Sequence, residues 1–183
     1  TDLRDVKLRS LRRQLGVVLQ DPFLFSGTIA DNIRFGRPEA TDEEVAAAAH
    51  AIGVDRITTR FESGLDHVVR EGGSGLSAGE RQLISIARAL LADPRILILD
   101  EATSNIDRPS EILIEQAFDT LLRGRTSVII AHRLATVRRA DEILVIEKGR
   151  VTQRGTEAEL LAEDGPFRRL AETMHGIPVR DVA

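Results

Sequence analysis

Asp100 and Glu101 stand side by side at the end of a four-residue aliphatic run, Ile96-Leu97-Ile98-Leu99. Two adjacent carboxylates at a strand end can divide labour. One holds a divalent metal, and its neighbour takes a proton from water. That division suits hydrolysis of a metal-bound phosphate, although two solvated acids at a strand end would look the same in isolation. Two further polar residues follow apolar runs in the same manner. Gln20 follows Leu15-Gly16-Val17-Val18-Leu19, and His132 follows Val128-Ile129-Ile130-Ala131. A single Gln or His in such a place is usually an ordinary loop residue. Three strands that each end in a chemistry-bearing side chain point to one shared site at the carboxyl edge of a parallel sheet, where open α/β sheets place their ligands.

A second candidate is the stretch Gly72-Gly73-Ser74-Gly75-Leu76-Ser77-Ala78-Gly79. It runs into a helix N-terminus, where the first amides lack partners and the dipole favours an anion. Glycines admit a phosphate close to the backbone, and Ser77 adds a hydroxyl donor. A plain helix cap with a flexible approach loop is the competing explanation. The same stretch also fits G-x-G-x-x-A, with Asp100 near the spacing of the acid in a dinucleotide-binding fingerprint. A dinucleotide-dependent enzyme is therefore a rival reading. Its preceding strand would be only Val68-Val69, followed by Arg70-Glu71, and it leaves Gln20 and His132 without a role.

The elements that must position these residues are legible as periodicities. Unbroken apolar runs at Leu15, Ile96 and Val128 predict strands buried on both faces, as in a parallel sheet. Thr41-Asp42-Glu43-Glu44 and Ser77-Ala78-Gly79-Glu80 are capping boxes that open helices. Behind the second, Leu83, Ile86, Ala87, Leu90 and Leu91 fall on one helical face, and Asp93-Pro94 ends it. Ser110 to Arg123 reads as a helix closed by Gly124. Ile143 to Ile146, Lys148-Gly149 and Val151-Thr152 read as a hairpin. Thr156 caps the next helix, and a last one runs from Pro166 towards His175. Strands alternating with helices predict an α/β fold with a largely parallel sheet.

Composition narrows the classes. The 183 residues are 42% hydrophobic and 30% charged, ordinary for a globular domain with a real core. A net charge of -4 gives no support to nucleic-acid binding. With no Cys, disulfides and thiolate metal sites are excluded, which fits a reducing compartment. No apolar run approaches the ~18 residues of a membrane span.

Taken together, these residues resemble the nucleotide-binding domain of an ATP-binding cassette (ABC) transporter. Leu76-Ser77-Ala78-Gly79-Glu80-Arg81-Gln82 is similar to the family's signature motif, usually LSGGQRQ. Ile96 to Glu101 resembles Walker B with its catalytic Glu. Ala102 to Asp107 resembles the D-loop, His132 the switch His, and Gln20 the Q-loop Gln. The motif order matches, over roughly residues 2 to 170. Gln20 to Ile33 and Val69 to Gly73 resemble the exporter branch in particular. The sequence departs from the usual motif at Ala78, where Gly is common, and at Glu80, where Gln is common. Arg70 and Gly72 also depart from the usual Gly and Arg of the loop before the motif.

The resemblance implies a P-loop NTPase-like, three-layer parallel sheet with a helical signature subdomain at about 38–93 and a catalytic core formed by the rest of 1–183. The 183 residues hold no G-x-x-x-x-G-K-[ST], since Lys7 and Lys148 are the only lysines and neither fits. The expectation is thus a partial domain that lacks its first strands and its P-loop, and is by itself inactive. ATP and Mg²⁺ are the implied cofactors. Asp100 and Gln20 are the implied metal ligands, and Glu101, His132 and Gln20 the catalytic group. Gly75, Ser77, Ala78, Gly79, Glu80 and Asp107 are the residues implied to bind nucleotide or to bridge cassettes. The implied partners are a second nucleotide-binding domain and an exporter's membrane domain, at the cytoplasmic face of the plasma membrane, with no nucleic acid. A non-hydrolysing fragment and a soluble ABC ATPase are the alternatives within the family. The transported substrate is not encoded in these residues.

Overall fold

Parallel strands cannot be joined by tight turns, so each crossover needs a helix that packs back on the sheet. The chain obeys that rule around one strand. A computed structural model describes residues 2–100, 106–131 and 134–174. They divide into two compact units, Thr1–Ile130 and Ala131–Ala183.

In the first unit, helix α1 (Leu8–Arg13) leads into strand β1 (Leu15–Val18). A short pair, β2 (Gly27–Thr28) and the later β3 (Val68–Val69), is antiparallel and separate from the main sheet. Between them lie α2 (Ile29–Arg34), α3 (Asp42–Ile52) and α4 (Asp55–Thr58). Then come α5 (Ala78–Ala92), β4 (Ile96–Asp100), α6 (Arg108–Leu122) and β5 (Thr126–Ile130). Strand β4 is central, with β1 and β5 parallel on either side. The register sets Val18 beside Leu99 and Asp100 beside Ile130. The carboxyl ends of all three strands therefore lie on one edge.

Side chains alternate across a strand. Val18, Leu97 and Leu99 are buried in one core with Leu83, Ile84 and Ile86 of α5 and Leu121 of α6, with Ile129 packed against it. The expectation of strands buried on both faces is corrected here. Val17, Leu19, Val128 and Ile130 are each about half exposed, and β5 has no fully buried residue. Two of the three strands are edges, and the α5–α6 layer covers only the face of Val18 and Leu99. An uninterrupted aliphatic run does not distinguish that arrangement from a doubly covered strand.

The helix boundaries follow local chemistry. Both capping boxes form, with Thr41 on Glu44 and Ser77 on Glu80. Helix α5 ends at Asp93, which adopts a left-handed conformation (φ 45°). Arg125 holds that end: its guanidinium donates to Asp93 Oδ1 at 2.6 Å, to the Pro94 carbonyl at 3.2 Å and to the Leu121 carbonyl at 2.6 Å. One side chain thus ties the end of α5, the end of α6 and the start of β5 together. Helix α6 begins at Arg108, two residues before the expected start at Ser110, because Asp107 caps it.

In the second unit, α7 (Leu134–Val137) precedes a hairpin of β6 (Ile143–Glu147) and β7 (Arg150–Gly155). Lys148 (φ 49°) and Gly149 (φ 76°) form its turn. Helices α8 (Glu157–Ala162), capped by Thr156, and α9 (Pro166–Met174) follow. Among this unit's described residues, Leu160, Phe167 and Ala171 are buried and apolar. Among the described residues, no helix is long and apolar enough to cross a membrane.

The one-sided burial predicts unequal responses to truncation. In the 183-residue chain, Leu97→Ala is expected to cost about 2–5 kcal/mol and Val128→Ala less than about 1 kcal/mol. Urea denaturation of both variants measures this, and equal losses would contradict the layering.

Candidate functional site

At the carboxyl edge of the sheet stand two of the expected site residues, Gln20 and Asp100. Gln20 sits in an exposed bend two residues beyond the end of β1. Asp100 is the last residue of β4 and is partly buried. By alternation from Leu99, it falls on the same sheet face as Ile98, Val17 and Val128. Since Val18 pairs with Leu99, Gln20 and Asp100 project from adjacent strands at nearly the same level. Glu101 and His132, the next residue after Asp100 and the second after Ile130, lie outside the described residues. Among the described residues, no three His, Cys, Asp or Glu side chains cluster closely enough to hold a metal by themselves. The oxygen donors available at this edge, a carboxylate and an amide, are of the hard type that suits Mg²⁺.

The glycine-rich loop is built rather than loose. Glu71–Gly73 is a short 3-10 element broken at Gly72 (φ 74°), whose amide donates to the Leu24 carbonyl at 2.9 Å. Arg81 donates to the Leu76 carbonyl at 2.7 Å. At the helix entrance, Ser77 Oγ accepts from the Glu80 amide at 3.2 Å and Glu80 Oε2 accepts from the Ser77 amide at 2.7 Å. Ser77 itself is exposed. Gly75 has φ +94° with open space where a Cβ would stand, so its backbone conformation is what selects glycine. Gly79 is different. A Cβ there would lie 2.7 Å from the Ser110 Cβ, so this glycine permits the close approach of α5 to α6. Ala78, the first residue of α5, has an ordinary negative φ, and the departure from Gly there introduces no backbone strain.

Asp107 has a local role. Its carboxylate caps α6 by accepting from the Ser110 amide at 3.1 Å, and its bonds to Ser110 hold its pKa below the ordinary carboxylate value.

Three residues that matter to this arrangement carry no motif signal. Asn32 is almost fully buried, and its amide closes the segment after Gln20. It accepts from the Phe25 amide at 2.9 Å and donates to the Phe25 and Thr28 carbonyls at 2.9 and 3.0 Å. Arg88 of α5 donates to the Asn32 carbonyl at 2.8 Å, to Asn32 Oδ1 at 3.1 Å and to the Phe23 carbonyl at 3.1 Å. Its guanidinium lies 5.7 Å from the Phe25 ring and 5.5 Å from the Phe35 ring, both substantially exposed. The Gln20–Phe35 segment is thereby fastened to the helix that the glycine-rich loop opens. The third is Arg60, whose guanidinium donates to Glu80 Oε2 at 2.8 Å. The signal that finds Arg88 is its placement: a charged residue on the side of α5 that packs against α2. Arg60 has none.

The dinucleotide reading fails on topology. Its strand, β3, pairs antiparallel with β2 outside the parallel sheet, so the glycines do not follow a central strand.

A parallel core with polar strand ends on one edge, beside helices, defines an α/β domain with its candidate site at the carboxyl edge of the sheet. Sequence comparison specifies it further. The family model described as "ABC transporter" matches residues 1–104. The uncharacterized ABC transporter ATP-binding protein YknV of Bacillus subtilis (strain 168) is 52% identical over 177 residues, covering 97% of this chain and 29% of that protein. A fatty acid ABC transporter ATP-binding/permease protein of Mycobacterium tuberculosis (strain CDC 1551 / Oshkosh) is 51% identical over 169 residues, 92% of this chain and 27% of that protein. The solved structure of a bacterial Atm1-family ABC exporter with ATP bound matches with a TM-score of 0.86 at 38% identity, covering 100% of this chain and 31% of that one. The chain belongs to the ABC transporter family, and it spans less than a third of the length of these relatives.

The capping role of Asp107 has a pH signature. Its folded pKa is depressed, so its contribution is present at neutral pH and is lost as pH falls below about 4 and through the lowered folded value. Asp107→Asn keeps a capping side chain but does not titrate. Thermal midpoints measured from neutral to acid pH are expected to fall less steeply in the variant. Identical acid limbs would contradict the cap.

Proposed function

We propose that this chain is the ATP-binding and ATP-hydrolysing cassette of an exporter, in which hydrolysis drives transport through an attached membrane domain. The observation that carries the reading is the parallel register that sets Gln20 and Asp100 on adjacent strand ends, with the Glu101 and His132 positions following directly on β4 and β5. Beside it stands the family membership and the ATP-bound exporter likeness.

In this reading Asp100, through water, and Gln20 would hold Mg²⁺, which would supply positive charge against the nucleotide's phosphates. Glu101 orients the attacking water and takes its proton as the oxygen bonds to the γ-phosphorus. His132 and Gln20 contact the γ-phosphate side of the site. The bond to the β–γ bridging oxygen breaks, and ADP and phosphate leave. Gly75, Ser77, Ala78, Gly79 and Glu80 face nucleotide held by a second cassette, and Asp107 lies at the boundary between the two. The helical segment at about 38–93 acts as the signature subdomain, and the cassette works at the cytoplasmic face of the membrane.

The test is Glu101→Gln in the full-length protein. Loss of a positioned general base is expected to cut ATP turnover by about 10²–10⁴ while ATP binding persists, so that a nucleotide-bound dimer accumulates. Turnover measured alongside nucleotide retention decides it. Near-normal turnover would remove Glu101 from this role.

A further inference from the structure

We propose that Arg60 is a positioning residue of the signature loop, which neutralises Glu80 and so keeps the start of α5 able to accept the phosphates of nucleotide from a second cassette. The proposal rests on the reading that Ser77 and its neighbours face such nucleotide.

Glu80 stands where the family commonly has Gln. An amide at this third helical position would close the capping box with no net charge. A carboxylate closes it more strongly, since a negative group near a helix N-terminus is favourable. It also occupies with negative charge the end of the helix that an incoming polyphosphate requires to be positive. Glu80 is partly buried at the helix entrance.

Arg60 answers that charge from outside the motif. It lies between α4 and the 3-10 turn at Gly64–Asp66, 20 residues before Glu80. Its Nη2 donates to Glu80 Oε2 at 2.8 Å, the oxygen that also accepts from the Ser77 amide. The same nitrogen lies 3.4 Å from the Gly75 carbonyl. The guanidinium is further held over the Phe61 ring, 4.6 Å from its centre, and that ring stacks on His67 at 3.6 Å. Arg60 Nη2 thus touches both ends of the Gly75–Glu80 loop. The pair lies 46% and 16% exposed, too open for a large effect on stability. Its consequence is electrostatic and local, at the place where the second nucleotide's charge arrives.

The experiment measures ATP turnover of the full-length protein against ATP concentration for Arg60→Ala, Glu80→Gln and the double variant. Arg60→Ala is expected to raise the apparent KM for ATP about three- to five-fold with kcat within about two-fold. In the Glu80→Gln background the same substitution is expected to leave KM unchanged, because no charge remains to be neutralised. Arg60→Lys, which keeps the charge, is expected to stay within about two-fold of the starting KM. A KM rise that persists in the Glu80→Gln background, no rise at all, or a Lys variant as impaired as the Ala variant overturns the proposal. Ser77→Arg, which blocks the helix start, separates this from failure of the underlying reading. If that variant turns over ATP normally, no second nucleotide meets the loop.

Discussion

Everything at the candidate site depends on the parallel pairing of three strands. Because β4 is flanked by parallel neighbours, the chain must return to the opposite edge before each strand begins. The consequence is that β1, β4 and β5 all deliver their next residues to one edge. Gln20 and Asp100, separated by 80 residues in the chain, are set at adjacent strand ends by backbone hydrogen bonding alone. Antiparallel pairing of any one strand would send its polar end to the far side.

Helix α5 carries the second constraint. Its N-terminus is closed by the Ser77–Glu80 box, its first turn is pressed against α6 where Gly79 meets Ser110, and its C-terminus is held by Arg125. Midway, Arg88 grips the Asn32 hub and the aromatic residues that follow Gln20. A displacement of the Phe23–Phe35 segment is therefore transmitted to the helix that the glycine-rich loop opens. These contacts are hydrogen bonds to the buried Asn32 and a guanidinium set over two exposed rings.

The sequence disclosed most of the elements and the site edge, for identifiable reasons. Capping boxes at Thr41, Ser77 and Thr156 are short-range patterns whose hydrogen bonds close within three residues, and all three form. The polar ends at Gln20 and Asp100 were legible because each directly follows an aliphatic run. Two kinds of feature were not. The half-open sheet was hidden because Val128-Ile129-Ile130 reads the same whether one face or two are covered. The pairs Arg60–Glu80 and Arg88–Asn32 span 20 and 56 residues, and nothing in local pattern announces which arginine turns inward. Asp107, read as a residue of the D-loop, caps α6, a role that motif matching alone does not suggest.

The central claim is that the strand ends at Gln20 and Asp100 lie at the γ-phosphate of this cassette's own nucleotide, and the glycine-rich loop at that of the nucleotide held by a second cassette. Photocleavage by vanadate tests it most directly, because vanadate trapped with Mg²⁺ and ADP takes the γ-phosphate position and cuts the adjacent backbone on irradiation. In the full-length protein, cleavage is expected within Gly75–Gly79 and next to Gln20 or Asp100-Glu101. Vanadate inhibition of turnover with cleavage at neither place would contradict the account.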